Sequence, residues 1–524
     1  MPGGAEPVQP TRVWYPGAYL QDEWQPTQNF RLTVGLRVDV PFFEDTGYKN
    51  PIVDTLRFVD ANGNLLRSDT KRLPGANVLF SPRFGFNWNV LRNDRLQVRG
   101  GTGIFTGRPA FVWISNQIGN NGVLTGFESI DSTFRRPFNP NPNFYRPANP
   151  QAPSTFELAT TNPDFRFPQV WRTNFGVDYR LPFDIIATID AIYTRAINGI
   201  SYINANLKPA TQIFAGPDQR LRYAGGSATR LNPNVTSNIV LQNTGKDYSI
   251  SLTAQLQKSF GRNWFAQVAY TYTDARNTVD PGSIAFGSWA TNAIPNDPNR
   301  APLAFSANAV PHRIIASGTY RVEYGGNMAT QISLFFQGQQ QGRFSYTYEG
   351  DMNGDGVSNN DLMYIPNRAS ELRFLPVTVG TGANARTFTP AEQAAAFDAF
   401  IEQDPYLRTR RGKYAERNGA LFPFVYRADL SVIQEFFFDI GGKRNTLQLR
   451  ADIFNFMNLI SDSFGVGWQR TDPFVLSSAG TAPDGTPQFR MRTVNNQLIS
   501  TSFERSAGLS DVWAAQFGIR YIFN

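Results

Sequence analysis

Apolar and polar residues alternate along much of this chain with a period of two. In Arg31–Val40, Leu32, Val34, Leu36, Val38 and Val40 fall on one side, and Arg31, Thr33, Gly35, Arg37 and Asp39 on the other. Side chains of a strand point alternately to its two faces, so this segment reads as a strand with one apolar and one strongly polar surface. Trp171, Phe175, Val177 and Tyr179 oppose Arg172, Asn174, Asp178 and Arg180 in the same way. Tyr248, Ile250, Leu252, Ala254 and Leu256 alternate with Ser249, Ser251, Thr253, Gln255 and Gln257. Trp264, Ala266, Val268, Tyr270 and Tyr272 have Gln267, Thr271 and Thr273 between them, and Phe517, Ile519, Tyr521 and Phe523 oppose Gln516, Gly518 and Arg520. About thirteen such strands can be walked along the sequence. Short turns rich in Gly, Asn, Asp and Pro fall near Pro26–Asn29, Leu91–Arg95, Leu181–Asp184, Gly261–Asn263, Gly325–Asn327 and Gly441–Arg444. Long segments near 42–77, 108–168, 197–246, 275–311, 342–424 and 459–512 separate them.

Alternation alone fits two architectures. In a soluble sandwich the apolar face is the core; in a membrane barrel it meets lipid while the polar face lines the lumen. Three features point to an all-β, antiparallel transmembrane barrel. The strands run to ten or more residues, near the length that crosses a tilted bilayer path. Tyr, Trp and Phe gather near strand ends, where an interfacial girdle lies. Short and long connections alternate strictly, as periplasmic turns and outer loops do. Loops this long, read as structureless, argue against a compact soluble domain but suit the outside of a barrel. The expected faces put Leu32, Phe175, Leu252, Val268 and Phe517 toward lipid, and Arg37, Arg172 and Asp178 toward the lumen. An odd set of antiparallel strands has its first (about 16–24) and last (about 513–523) running the same way. It cannot close on itself antiparallel, and open edges are not tolerated in hydrocarbon. Either a strand is missed or the chain is part of a larger barrel.

Composition sharpens this picture by exclusion. The chain has 524 residues with no Cys and one His, which removes disulfides, Cys zinc sites, iron–sulfur clusters and thiol catalysis. No run of 18 apolar residues exists, so no helix is expected to span a membrane, and no signal-peptide pattern opens the sequence. The net charge of +7 is spread among both signs rather than concentrated, so no nucleic-acid partner is expected. The 43 Phe, 20 Tyr and 9 Trp in an otherwise polar chain need a face exposed to something apolar.

Several short motifs then carry a family resemblance. Tyr19–Trp24 reads YLQDEW and is followed by a strand ending GLRVD; Ser81–Phe86 reads SPRFGF; Val98–Arg108 reads VRGGTGIFTGR; Pro311–Arg313 reads PHR; Arg450–Asn458 reads RADIFNFMN. In this order they resemble the barrel of TonB-dependent outer-membrane receptors, in particular the Oar-like group with a carboxypeptidase-regulatory-like N-terminal domain. The resemblance covers essentially the whole chain. It implies a 22-stranded barrel in the bacterial outer membrane, containing a plug through which the TonB complex drives uptake of a bound ligand. It also implies that residues 1–524 are the C-terminal part of such a barrel, about thirteen strands, with the plug and N-terminal domain absent. A missing N-terminal segment, or a second chain in a split barrel, would complete it. A passive channel, an adhesin-like surface barrel and an outer-membrane enzyme are the competing functions.

Four local features bear on chemistry. The last strand matches the terminal signal read by the barrel-assembly machinery, with Gln516, Gly518, Tyr521 and Phe523 in the pattern and Asn524 beyond it. Asp351–Asp361 reads DMNGDGVSNND, with oxygen ligands at alternating positions and a Gly at the bend, as calcium loops have. Asp351, Asn353, Asp355, the Val357 carbonyl and Asp361 are its candidate ligands, for a structural Ca2+ rather than a sensor; an Asx turn without metal is the plainer reading. Thr389–Glu392 is a capping box with Pro at the first helical position, and Ala394, Ala395, Phe397, Phe400 and Ile401 form an apolar stripe. Pro405 ends that helix. The basic residues Arg408, Arg410, Arg411, Lys413 and Arg417 follow, and either attract lipopolysaccharide or acidic cargo, or form a solvated face or pair with loop carboxylates. His312 precedes a strand with no nucleophile motif, and no carboxylate pair marks a hydrolase, so no enzyme is expected.

Overall fold

The computed structural model describes residues 10–123, 134, 136–141, 143–145, 155–261 and 263–523; Asn524, the residue beyond the C-terminal motif, lies outside them. Its frame is one antiparallel sheet whose path holds thirteen strands in chain order. They are β1 (Gly17–Thr27), β2 (Phe30–Asp39), β3 (Leu79–Asn89), β4 (Leu96–Thr106), β5 (Gln169–Arg180), β6 (Ile186–Ala196) and β7 (Tyr248–Phe260). β8 (Trp264–Asn277), β9 (His312–Tyr324), β10 (Met328–Gln340), β11 (Phe424–Ile440), β12 (Lys443–Phe454) and β13 (Ala514–Ile522) complete it. Each strand pairs with its neighbours in sequence, so every second connection is a tight turn and the alternate ones are long. Proline sits only where the ladder allows it. Pro26 lies on the edge strand β1 at a register shift, and Pro82 lies where β3 is not yet paired to β4.

Register carries each face across the whole sheet. Leu32 opposes Phe86, Phe86 opposes Gly100, Gly100 opposes Phe175, Phe175 opposes Ala191 and Ala191 opposes Leu252. Leu252 opposes Tyr272 on the strand that carries Val268, and Phe517 reaches the same face through Ala451 and Val432. This apolar face is not a core: Phe175 is 50 %, Leu252 47 %, Val268 44 % and Phe517 81 % exposed. Aromatic rings mark its two ends. Trp264 packs on Tyr320 (centroids 4.3 Å) and Phe438 on Tyr521 (6.1 Å) near the tight turns. At the long-loop end Phe336 stacks on Tyr426, and the Tyr270 hydroxyl lies 2.7 Å from His312 Nδ1. His312 thus belongs to an aromatic band, not to a reactive site.

Arg37, Arg172 and Asp178 share the opposite, polar face, which holds its charges in pairs across strands. Arg99 on β4 reaches Asp178 on β5 and Asp190 on β6. Gly176 makes this possible, because a Cβ there would stand 2.4 Å from Asp190 Oδ1 and 2.9 Å from Arg99 Cζ. Arg321, Glu435 and Gln448 link β9, β11 and β12 in the same manner.

The packed hydrophobic core lies in the long connections instead. They are not structureless, contrary to expectation. Phe214, Ala293, Tyr348, Phe397, Phe400 and Phe489 come from four different loops and share one buried cluster. A second cluster joins Ile114, Phe165, Tyr202, Ile239 and Trp289. A three-stranded sheet underlies the rest, with Val235–Thr244 between Gly199–Asn204 (antiparallel) and Phe156–Thr161 (parallel). Pairing between loops this far apart in sequence has no local signal, which is why the pattern reading missed it. The loop helix does form, over Pro390–Gln403, with both halves of the Thr389–Glu392 capping box made. Its buried face is Gln393, Phe397, Phe400 and Ile401, whereas Ala395 is exposed. Position 395 is about 200° around the helix from 393, so it faces away from that stripe. Gln393 earns its burial through hydrogen bonds from its amide to Leu375 O and Phe388 O and from Met491 N to its carbonyl.

Candidate functional site

The loop Asp351–Asp361 folds as a tight coil held by its own acidic residues. Asp351 accepts from Gly354 N (2.7 Å) and Gly356 N (2.9 Å), Asn353 from Asp355 N, and Asp355 from Val357 N. Gly354 and Gly356 have φ of +78° and +91°, a conformation that side chains resist. Asp361 Oδ2 accepts from Met352 N and Asn353 N, closing the coil at its base. The coil then docks on a neighbouring loop through Tyr223 N to Asn353 O and Gly225 N to Gly354 O.

Arg220, from that neighbouring loop, is the residue that the sequence reading missed. It is fully buried. It donates to both oxygens of Asp218, to Asp361 Oδ1 at 3.2 Å and to Leu362 O. Its guanidinium sits 5.3 Å from the Tyr348 ring and 5.1 Å from the Tyr414 ring. One cation therefore ties three loop segments together, as a desolvated, fully hydrogen-bonded charge must be held. No local motif surrounds it; only the buried partners, distant in sequence, reveal it.

Of the proposed calcium ligands, Asn353, Asp355, Val357 and Asp361 are buried and Asp351 is half-buried. Burial, reinforced by Asp361 and Asp351, pushes the Asp355 carboxyl up to about 8. Burial also raises Asp361 to about 6, although Arg220 opposes the rise. The donor set is all oxygen, which suits a hard cation. Its oxygens are turned onto backbone N–H groups and Arg220, and among the described residues no group of three or more His, Cys, Asp or Glu side chains is arranged to hold a metal. The structure thus makes the coil a structural unit of the loops.

The basic residues after the helix are mostly engaged within the fold. Arg411 pairs with Asp398 (2.9 Å) and Arg410 with Glu416, while Arg417 is buried against Asn277 and Asn292. The pairing reading holds for Arg410 and Arg411, whereas Arg417 is held by amide and backbone oxygens and not by a carboxylate.

The RADIFNFMN motif acts at the junction of wall and loops. Asn455 adopts φ +51°, ending β12, and its side chain donates to Gly465 O and Asp511 O. Gly465 is needed there, since a Cβ would fall 1.8 Å from Asn455 Oδ1. On the polar face just beneath lies a cavity of about 560 Å³ lined by Gln337, Gln339, Arg427, Asp429 and Asn455 and edged by Leu509 and Val512. At the far end of the last connection, β13 carries Gln516 and Gly518, and Tyr521 donates to Asn445. Phe523 lies just past the strand and is 74 % exposed.

An amphipathic antiparallel wall, apolar on its exposed face and capped at one end by folded loops, is the architecture of an outer-membrane β-barrel protein. The chain belongs to the outer membrane beta barrel domain family, whose model matches residues 3–463. It is accordingly a protein of the bacterial outer membrane. Among solved structures it is similar to the FrpB iron transporter from Neisseria meningitidis (10 % identity, 98 % of this chain and 46 % of that one, TM-score 0.41). It is also similar to the copper transporter OprC (10 %, 85 % and 43 %, 0.40) and to the outer membrane transporter YddB from Escherichia coli (11 %, 97 % and 55 %, 0.39). The chain spans about half the length of these proteins. No curated protein sequence matches it.

Proposed function

We propose that this chain is the C-terminal part of the barrel of a TonB-dependent receptor of the Oar-like group, in which a plug inside the barrel couples ligand uptake to the TonB complex. The observation that carries the reading is the open, odd-numbered sheet. Among the described residues β1 and β13 pair on one side only. Both run in the same direction, so an antiparallel closure needs an odd number of further strands between them. Nine such strands would complete a 22-stranded barrel. Unsatisfied strand edges in lipid cost several kcal/mol per group, so they must be covered. The order of the YLQDEW, SPRFGF, VRGGTG and RADIFNFMN motifs supports the Oar-like assignment.

In this reading Leu252, Val268 and Phe517 face lipid, the Arg99 and Arg321 networks line the lumen, and the folded loops meet the ligand outside the cell. Gln516, Gly518, Tyr521 and Phe523 form the signal for the assembly machinery. A structural calcium ion on Asp351, Asn353, Asp355, the Val357 carbonyl and Asp361 is part of the same proposal. It rests on residue spacing and on the buried, partly uncompensated carboxylates, and it requires Asp351 and Asp355 to turn from backbone N–H groups to the ion.

The test is capture of native outer-membrane extract on the periplasmic domain of TonB. Retention of peptides from this chain, as part of a longer polypeptide, is expected. Absence from the retained fraction while the protein is present in the extract would favour a passive channel or adhesin instead.

A further inference from the structure

The loop cap holds a cavity that the wall and the coil do not use. It has a volume of about 1090 Å³ and lies between the hairpin of Phe58–Val59 and Leu65–Leu66 and the three-stranded loop sheet. Its rim carries Arg57, Arg67 and Arg72. Asp54 and Asp69, the carboxylates of the same wall, are already engaged by Lys49 at 2.8 and 3.0 Å. None of the three guanidiniums has an ion-pair partner among the described residues, so the cavity keeps an excess of two positive charges with Lys49 included. One polar group in the wall is also left over. Thr161 is 6 % exposed, yet its hydroxyl has no hydrogen-bond partner. Buried hydroxyls are normally satisfied, and an orphan beside free guanidiniums points to an acceptor that is supplied from outside.

We infer that this cavity binds a soluble ligand carrying two or more carboxylate or phosphate groups. Guanidinium matches both groups through paired N–H donors, which is why arginine recognises them better than lysine does. Three such groups spaced around one cavity suit a polyanion rather than a single inorganic anion. The volume is at the upper end of what small-molecule pockets offer. The inference rests on reading these loops as the external, ligand-meeting face. It is separable from the transport reading, because binding in detergent needs no TonB.

The experiment is calorimetric titration of the purified full-length protein in detergent with citrate and with pyrophosphate, and separately with lipopolysaccharide micelles. Saturable binding of at least one soluble probe is expected, weakened by added salt. Replacing Arg57, Arg67 and Arg72 together by Gln should weaken it by about tenfold or more, and Thr161→Val by about threefold to tenfold. Native, heat-modifiable gel migration checks that each variant is folded; if the triple variant fails, Arg67→Gln and Thr161→Val decide. No saturable signal with either soluble probe up to about 10 mM overturns the inference. So does unchanged affinity in the folded variants, and so does binding of lipopolysaccharide alone, which would assign the arginines to a lipid phosphate.

Discussion

A lysine placed on the apolar face should be far more damaging than one placed a residue away. Val268 is the informative position. It lies on β8 midway between Trp264 and Tyr272, four residues from each aromatic band. At about 3.3 Å per residue each band is roughly 13 Å away along the strand. A lysine at 268 therefore sits near the middle of the apolar zone, where snorkelling relieves little of its cost. Its neighbours in register are Leu256 and Ala316, neither of which pairs with a cation. The expected cost of Val268→Lys is about 2–4 kcal/mol, or about 30- to 900-fold in the folding equilibrium. Gln267→Lys points to the polar face beside Gln257 and Ser317 and should cost less than about 0.5 kcal/mol. The assay is guanidinium-driven folding of the full-length protein into lipid vesicles, followed by tryptophan fluorescence and gel mobility. Equal losses for the two variants would refute the assignment of faces.

Arg220→Met removes the cation that joins Asp218 and Asp361, and breaking a buried pair costs about 3–5 kcal/mol; limited proteolysis should cut the loops much faster while membrane insertion stays intact. For calcium, cleavage within Asp351–Asp361 should rise with chelator in the wild type and be high with or without it in Asp355→Ala; the same rate in all four samples would leave only a polar turn. Thr389→Ala loses a formed capping box and should destabilise the loop helix by about 1 kcal/mol, read as faster amide exchange over 391–393. Removing Phe523 and Asn524 should lower the yield of folded protein in the outer membrane at unchanged synthesis, measured by heat-modifiable migration.

The wall was legible because its information is local. Alternation in Arg31–Val40 or Trp264–Thr273 specifies face and strand at once, and Gly–Asn turns fix the register. The exposed Phe517 and Phe175 decide between lipid and sandwich core, a choice that alternation itself leaves open. The loop helix was legible for the same reason: Thr389, Pro390 and Glu392 are a contiguous start signal. The rest of the cap was not. Arg220 finds Asp361 and Leu362 across more than a hundred residues, and Phe156–Thr161 pairs in parallel with Val235–Leu241. Both depend on several loops folding together. Ala395 shows a smaller version of this limit, since an alanine fits a stripe on paper as well as Gln393 does, and only the hydrogen-bond partners of Gln393 show which way the helix turns.

Because the chain has no native cysteine, single cysteines can be placed at will along β8. The most direct test of the wall as a lipid-facing barrel segment is to label positions 265 to 272 one at a time, in the full-length protein reconstituted in vesicles. Each label is then quenched with nitroxide carried on lipid chains or dissolved in water. The account predicts strict alternation: labels at 266, 268 and 270 quenched from the lipid, and those at 267, 269 and 271 from water. Uniform access from water at all positions, or lipid quenching without a period of two, would contradict it.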